Sequence, residues 1–259
     1  MHRGAPFIFV ALTTHHSEVI LSKQGGRVRK IFVLILLSAA TAAANPFNTV
    51  IAYPLPPRTG YFGPLIPVSI PLAEEGTLSV DPMLWAGFGI LPRLDMTFML
   101  YGRYQPNDST QYDFHLYHIM AEVRYDVIGK EWFALSPVID FFMPLDLNES
   151  PAIGPGVMAT GDFGYFLLHG NFLTYIDLDG SYVDILIYVA PEVPIAERFS
   201  VYTEANLYLN YQNNETATSF EFWPGVSWTP TDWLSVAAAC GVPTDLGYFT
   251  PGLAAYVSF

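Results

Sequence analysis

The chain has 259 residues, 51% of them hydrophobic and 15% aromatic, but only 14% charged, where soluble domains carry about a quarter. The formal charge of −13 argues against nucleic acid as a partner. The single cysteine, Cys240, excludes an intramolecular disulfide framework and a cysteine-based metal site.

Residues 1–27 show no periodic pattern and read as a non-native leader or start-site artefact, with translation beginning near Val28. A genuine long leader is the alternative. Residues 28–44 read as a signal peptide. Arg27, Arg29 and Lys30 form a basic flank, Ile31 to Ala44 an apolar stretch, and Ala42-Ala43-Ala44 an A-x-A site. Cleavage is expected after Ala44, with Ala42 as second choice. The apolar stretch is shorter than the roughly 20 residues of a spanning helix, although an uncleaved anchor is a third reading. Beyond Ala44 the chain holds six bases and 23 acids, a formal charge of −17.

Residues 45–61 read as a periplasmic N-terminal segment and 62–259 as the barrel. No further apolar stretch is long enough for a helix, so contact with a membrane requires a closed barrel, which leaves no backbone group unpaired in lipid. From Phe62 onward the pattern has period two. In 199–212, Ser200, Tyr202, Glu204, Asn206 and Tyr208 share one face, while Val201, Thr203, Ala205, Leu207 and Leu209 share the other. Helical spacing would mix these sets.

Twelve such segments are expected: 62–72, 77–90, 94–105, 113–127, 132–143, 153–160, 164–177, 181–193, 199–212, 219–228, 233–242 and 247–259. The connections alternate between tight turns and longer polar loops at 106–112, 144–152 and 213–218. The fold class is therefore all-β, a single antiparallel up-and-down transmembrane β-barrel of about 12 strands, with both termini in the periplasm. Pro82, Pro155, Pro191, Pro224 and Pro251 recur on strands running one way and are expected near a rim or at bulges. The first strand, with Pro64, Pro67 and Pro71, is the least regular.

Trp132, Phe133, Trp228 and Trp233 fit an interfacial aromatic girdle. The competing reading is a soluble β-sandwich, which needs wetter outer faces than so few Lys and Arg supply. Phe259, in phase with Val257, Ala255 and Leu253, ends the chain on an apolar face. This resembles the C-terminal signature that the barrel-assembly machinery recognises as a membrane-insertion signal. Tyr202-Thr-Glu204, Phe222-Trp-Pro-Gly-Val-Ser-Trp228 and Leu234-Ser-Val-Ala resemble the outer-membrane channel family of the meta-pathway of phenol degradation, over roughly residues 185–259. The resemblance implies a channel admitting small organic or aromatic molecules, and it brings no catalytic residues.

If the polar phase faces the lumen, it brings in Asp81, Asp95, Glu122, Asp126, Asp140, Asp184, Glu192, Glu204 and Glu221. Tyr101, Tyr188, Tyr202, Tyr208, Tyr256, Asn206, Arg103 and Arg124 share that phase. Carboxylate rings favour cations, whereas charges paired across a narrow barrel only plug it. Folding the third strand on the fourth places Asp95 opposite Arg124, a pair of the second kind. His118 is expected to meet Asp140 across the next strand, and His169 lies on the polar phase of the seventh. Neither has a serine beside it in this reading, so both are structural rather than half of a nucleophilic triad. Asp177-Leu-Asp179-Gly180 falls short of the calcium-loop spacing and reads as a solvated hairpin tip.

The function expected is passive uptake of small solutes through the bacterial outer membrane, with cations or neutral molecules preferred. Its partners are outer-membrane lipid, the assembly machinery and the solutes, and no cofactor or metal is implied. Ala237, Ala239, Gly241, Gly252 and Ala254 are expected to leave space near the last strands, which favours an open lumen. A closed structural or binding barrel acting through its external loops is the alternative, and a lipid-modifying enzyme a third. Neutralising Glu204 and Glu221 together is the sequence-level test of selectivity.

Overall fold

The computed structural model describes residues 52–72, 78–106, 112–146, 149–212, 215–244 and 247–259. The expected leader, the signal peptide, cleavage at Ala44 and residues 45–51 lie outside the described residues.

Twelve strands cross the barrel. They are β1 Gly60–Pro71, β2 Met83–Leu91, β3 Leu94–Pro106, β4 Tyr112–Tyr125, β5 Phe133–Pro144 and β6 Ala152–Asp162. They continue with β7 Leu167–Asp177, β8 Tyr182–Ala196, β9 Phe199–Gln212, β10 Glu215–Thr231, β11 Leu234–Pro243 and β12 Tyr248–Ser258. Neighbours in the chain pair antiparallel, and β1 closes on β12 from Tyr61↔Ser258 to Pro71↔Tyr248. Gly60 and Phe259 exchange backbone hydrogen bonds of 2.8 and 3.0 Å at the seam. Closure leaves no sheet edge.

The alternating sequence decides which side of the wall each residue takes. On β5, Ala134, Ser136, Val138 and Asp140 are buried, while Pro137, Ile139 and Phe141 are exposed. The outer face carries exposed Phe62, Phe88, Phe98, Phe141, Phe172, Phe222, Leu253 and Val257, more apolar surface than a soluble monomer leaves to water. A 12-residue strand such as β1 is roughly 40 Å long and, tilted by about 45°, rises about 28 Å, close to the apolar band of such barrels. Trp132, Trp228, Trp233 and Phe259 are exposed at the end bearing the tight turns and the C-terminus.

The expected strands are present, and besides a short pairing of Ile128–Lys130 with Phe133 to Leu135 they differ in two places. The polar stretch 213–218 is not all loop. Thr216, Ala217 and Thr218 pair with Tyr211, Asn210 and Leu209, so β10 begins at Glu215. Both faces of this hairpin are wet, since residues 215–219 are exposed, and a strand without a buried face loses its alternating signature. The second strand is broken. Ser79–Val80 still pairs with β1, but Asp81-Pro82 interrupts the ladder before Met83.

The prolines correct another expectation. Pro155, Pro191, Pro224 and Pro251 lie within strands, away from rims and bulges. Each keeps a partner on one side: Ile139, Leu168, Thr203 and Cys240 respectively. On the other side the ladder skips the proline and resumes in the same register, as from Phe222↔Val242 to Gly225↔Ala239. A proline lacks one donor, so it removes one rung without shifting the strands. At Pro155 the Thr174 hydroxyl donates to the exposed carbonyl over 2.8 Å.

Candidate functional site

The inward residues divide the barrel into layers. At the turn end, the segment preceding β1 folds into the mouth. Ala52 is fully buried and Leu55 is 3% exposed. The Ala52 amide donates to Thr160 Oγ1 (3.0 Å), the Ser136 hydroxyl donates to the Ala52 carbonyl (2.6 Å), and the Leu55 amide donates to Asp95 Oδ2 (2.7 Å). Arg58 and Thr59 then pair with Gly89 through backbone bonds. A Cβ at Gly89 would stand 2.0 Å from the Pro56 carbonyl oxygen, so this glycine makes room for the segment.

Above the segment lies a charged layer. Asp95 sits opposite Arg124 as the sequence suggests, with Nε–Oδ1 at 3.1 Å and Nη2–Oδ2 at 2.5 Å, both side chains buried. His169 bridges two groups: Nδ1 is 3.1 Å from Thr160 Oγ1, and Nε2 is 3.2 Å from Glu192 Oε2. Ser200 donates to the other oxygen of that carboxylate at 2.6 Å and lies 2.7 Å from Ser227 Oγ. A hydroxyl, an imidazole and a carboxylate in line have the composition of a triad. Here, however, the Thr160 oxygen also accepts from Ala52, and all three side chains are at most 1% exposed. The array ties strands and segment together.

The middle of the barrel is packed on the side of the last strands. Of the small residues expected to leave space there, Gly241, Ala237, Ala239 and Ala254 are packed instead. Gly241 faces the Trp223 indole and Gly225 the Tyr202 ring, each 2.4 Å from where a Cβ would stand. Ala237, Ala239 and Ala254 join Tyr61, Tyr202 and Tyr256 in the buried cluster. Glu221 accepts from Trp223 Nε1 at 2.9 Å and from the Tyr248 hydroxyl.

Towards the end bearing the longer connections, two cavities of about 180 and 220 Å³ share Tyr101, Met120, Tyr175 and Tyr188 as walls. The deeper one is bordered by Leu65, Met83, Trp85, Met99 and Leu173, with Glu122 and Asp140. The outer one reaches Tyr182, Asp184 and Leu186. Neither lining contains Lys or Arg.

Asp95, Glu122, Arg124, Asp140, His169, Tyr202, Glu204, Asn206 and Glu221 are therefore buried on the inner side. Asp81, Tyr101, His118, Asp184 and Tyr208 are half-buried, and Arg103 is exposed, 2.6 Å from Asp81. Asp184 accepts from Asn210 Nδ2 at 2.5 Å. The expected meeting of His118 with Asp140 does not occur. His118 pairs in register with Pro144, and Asp140 faces Glu122. The imidazole lies between the rings of Tyr101, its partner on β3, and Phe142, with centroids 4.1 and 4.0 Å away.

Met99, Met120, Trp85 and Tyr175 were not singled out by polarity. Their parity gave a signal, since Met99 stands in phase with Asp95, and Met120 between His118 and Glu122. At the β7–β8 tip, Asp179 accepts from Ser150 Oγ (2.9 Å) and the Ser181 amide (2.8 Å). These bonds hold its carboxyl below the ordinary range. Among the described residues no group of three His, Cys, Asp or Glu side chains is placed to hold a metal.

No family model and no curated protein sequence matches the chain. Solved structures do. The COG4313 outer membrane channel from Pseudomonas putida F1 superposes with a TM-score of 0.59 at 12% identity, covering 83% of this chain and 100% of that one. The KdgM porin in complex with disordered oligogalacturonate gives 0.56 at 6%, covering 77% and 99%, and the NanC porin 0.55 at 10%, covering 75% and 98%. At such identities the likeness is one of fold, and the fold is that of the outer-membrane β-barrel porins.

Proposed function

We propose that the barrel is an outer-membrane channel for the passive uptake of small organic solutes, aromatic ones included, and that it prefers neutral or cationic molecules to anions. The observation that carries this is the pair of adjoining cavities, bordered by aromatic rings, thioethers and the carboxylates of Glu122, Asp140 and Asp184, without a Lys or Arg. The porin fold supports the passive-channel reading and an outer-membrane location. In that orientation the turn end, with residue 52 and the C-terminus, faces the periplasm. Reconstitution of the full chain in planar bilayers tests it. Discrete conductance steps, with a reversal potential shifted towards the cation in a salt gradient, are expected. A refolded barrel that never conducts, or one that prefers anions, overturns it.

A second reading is a barrel closed at rest, and residues 52–59 favour it, because they fill the turn-end mouth with buried hydrogen bonds. It is tested by removing them.

A further inference from the structure

Two buried polar atoms beside the deeper cavity, a carboxyl oxygen and an indole nitrogen, have no hydrogen bond. Asp140 is fully buried, and only one of its oxygens is satisfied, by the Tyr175 hydroxyl at 2.7 Å. The other oxygen has no hydrogen bond. Trp85, 5% exposed, leaves its indole N–H without an acceptor. Glu122 faces Asp140 across the β4–β5 ladder, and like charges directly opposite one another are unfavourable. Arg124, one register step further along β4, hydrogen-bonds Asp95 and carries its charge beside Glu122, so Asp140 is the carboxyl whose second oxygen stays open. The dyad thus sets two carboxyl groups on a cavity with no basic side chain on its lining, and a buried carboxylate without a partner is costly to ionise. A guest that donates hydrogen bonds and bears positive charge removes that cost.

The walls specify the rest of the guest. Tyr101, Tyr175, Tyr188 and Trp85 present π-systems, which attract cations over their faces. Met83, Met99 and Met120 add soft, adaptable apolar surface. Gly154 keeps this geometry open. It lies between Asp140 and Tyr175 on neighbouring strands, and a Cβ there would stand 2.7 Å from the Tyr175 ring. A cavity of roughly 150 Å³ takes up benzene, so spaces of about 180 and 220 Å³ hold one ring and a short side chain.

We infer that this chamber is a binding site for small aryl-alkyl ammonium ions, with the ammonium on Asp140 and Glu122 and the ring among Tyr101, Tyr188 and the methionines. The inference deepens the channel reading by naming the solute class and rests on it only for its physiological meaning.

Calorimetry on the full-chain barrel refolded in detergent tests it with three soluble probes of one shape: 2-phenylethylammonium, 2-phenylethanol and phenylacetate. The ammonium is expected to bind saturably, at least about tenfold tighter than the alcohol, with no binding of the carboxylate. Asp140→Asn is expected to weaken the ammonium about tenfold or more and to leave the alcohol unchanged, which also shows the chamber intact in the variant. Equal affinity for ammonium and alcohol overturns the site, as does undiminished ammonium binding in Asp140→Asn. Displacement by sodium or magnesium at the concentrations effective for the ammonium also overturns it, because a plain cation site needs no aromatic cage. Conductance keeps the two readings apart. A barrel that binds without conducting retains the site and loses the channel, and one that conducts without binding does the reverse.

Discussion

Asp95 accepts from two directions, from Arg124 through both oxygens and from the Leu55 amide. It therefore fastens the wall and the N-terminal segment at once. Truncating it breaks a buried ion pair by removing one partner, which costs about 3–5 kcal/mol. Asp95→Ala is expected to lower the midpoint of urea unfolding of the refolded barrel accordingly, whereas Asp95→Leu with Arg124→Met loses much less. Equal losses in the two variants would mean that packing, not charge, decides this site. Gly225 gives a second prediction at this scale. The Tyr202 ring lies where a side chain would stand, so Gly225→Ala must displace a buried ring. The cost is about 1–3 kcal/mol, read as the same midpoint shift with the barrel fold retained by circular dichroism.

Among the elements, the segment 52–59 is the one whose removal tests a function. Its polar contacts reach Thr160, Ser136 and Asp95, far along the sequence, so deleting residues 52–58 takes out no strand. The deletion is expected to raise single-channel conductance several-fold over the full chain, as an obstruction at the turn-end mouth requires; unchanged conductance rejects the closed-at-rest reading. The segment also marks where sequence reasoning stopped. The strands were legible because one side of the wall is apolar and the other polar, and period two reports that contrast directly. Residues 52–59 carry no period, contain Pro54, Pro56 and Pro57, and bury themselves through backbone groups that any sequence possesses. The start of β10 escaped for a related reason, since both of its faces are wet. The lining was half legible. Polarity found Asp140 and Glu122, but the methionines and Trp85 share the apolar character of the outer face, and only their parity separates them.

For the whole molecule, an acidic chain closed into a narrow barrel concentrates its field inside, where walls of low dielectric focus it. The acids do not contribute equally. Glu221 is held by Trp223 and Tyr248, Glu192 by His169 and Ser200, and Asp95 by Arg124. Asp184, half-buried beside the outer cavity, stands where a solute first meets the aromatic chamber. Of the pair chosen from sequence, neither Glu204 nor Glu221 borders either of these two cavities, so Asp184 is the better handle on selectivity. Asp184→Asn is expected to move the reversal potential in a salt gradient towards zero, and Glu221→Gln to move it little. In the wild type the cation preference should fade as salt rises, because the screening length falls from roughly 30 Å at 0.01 M to about 3 Å at 1 M. A preference that persists at 1 M would point to contact binding at the dyad instead of a diffuse field, and Asp140→Asn, not Asp184→Asn, would then be the variant that abolishes it.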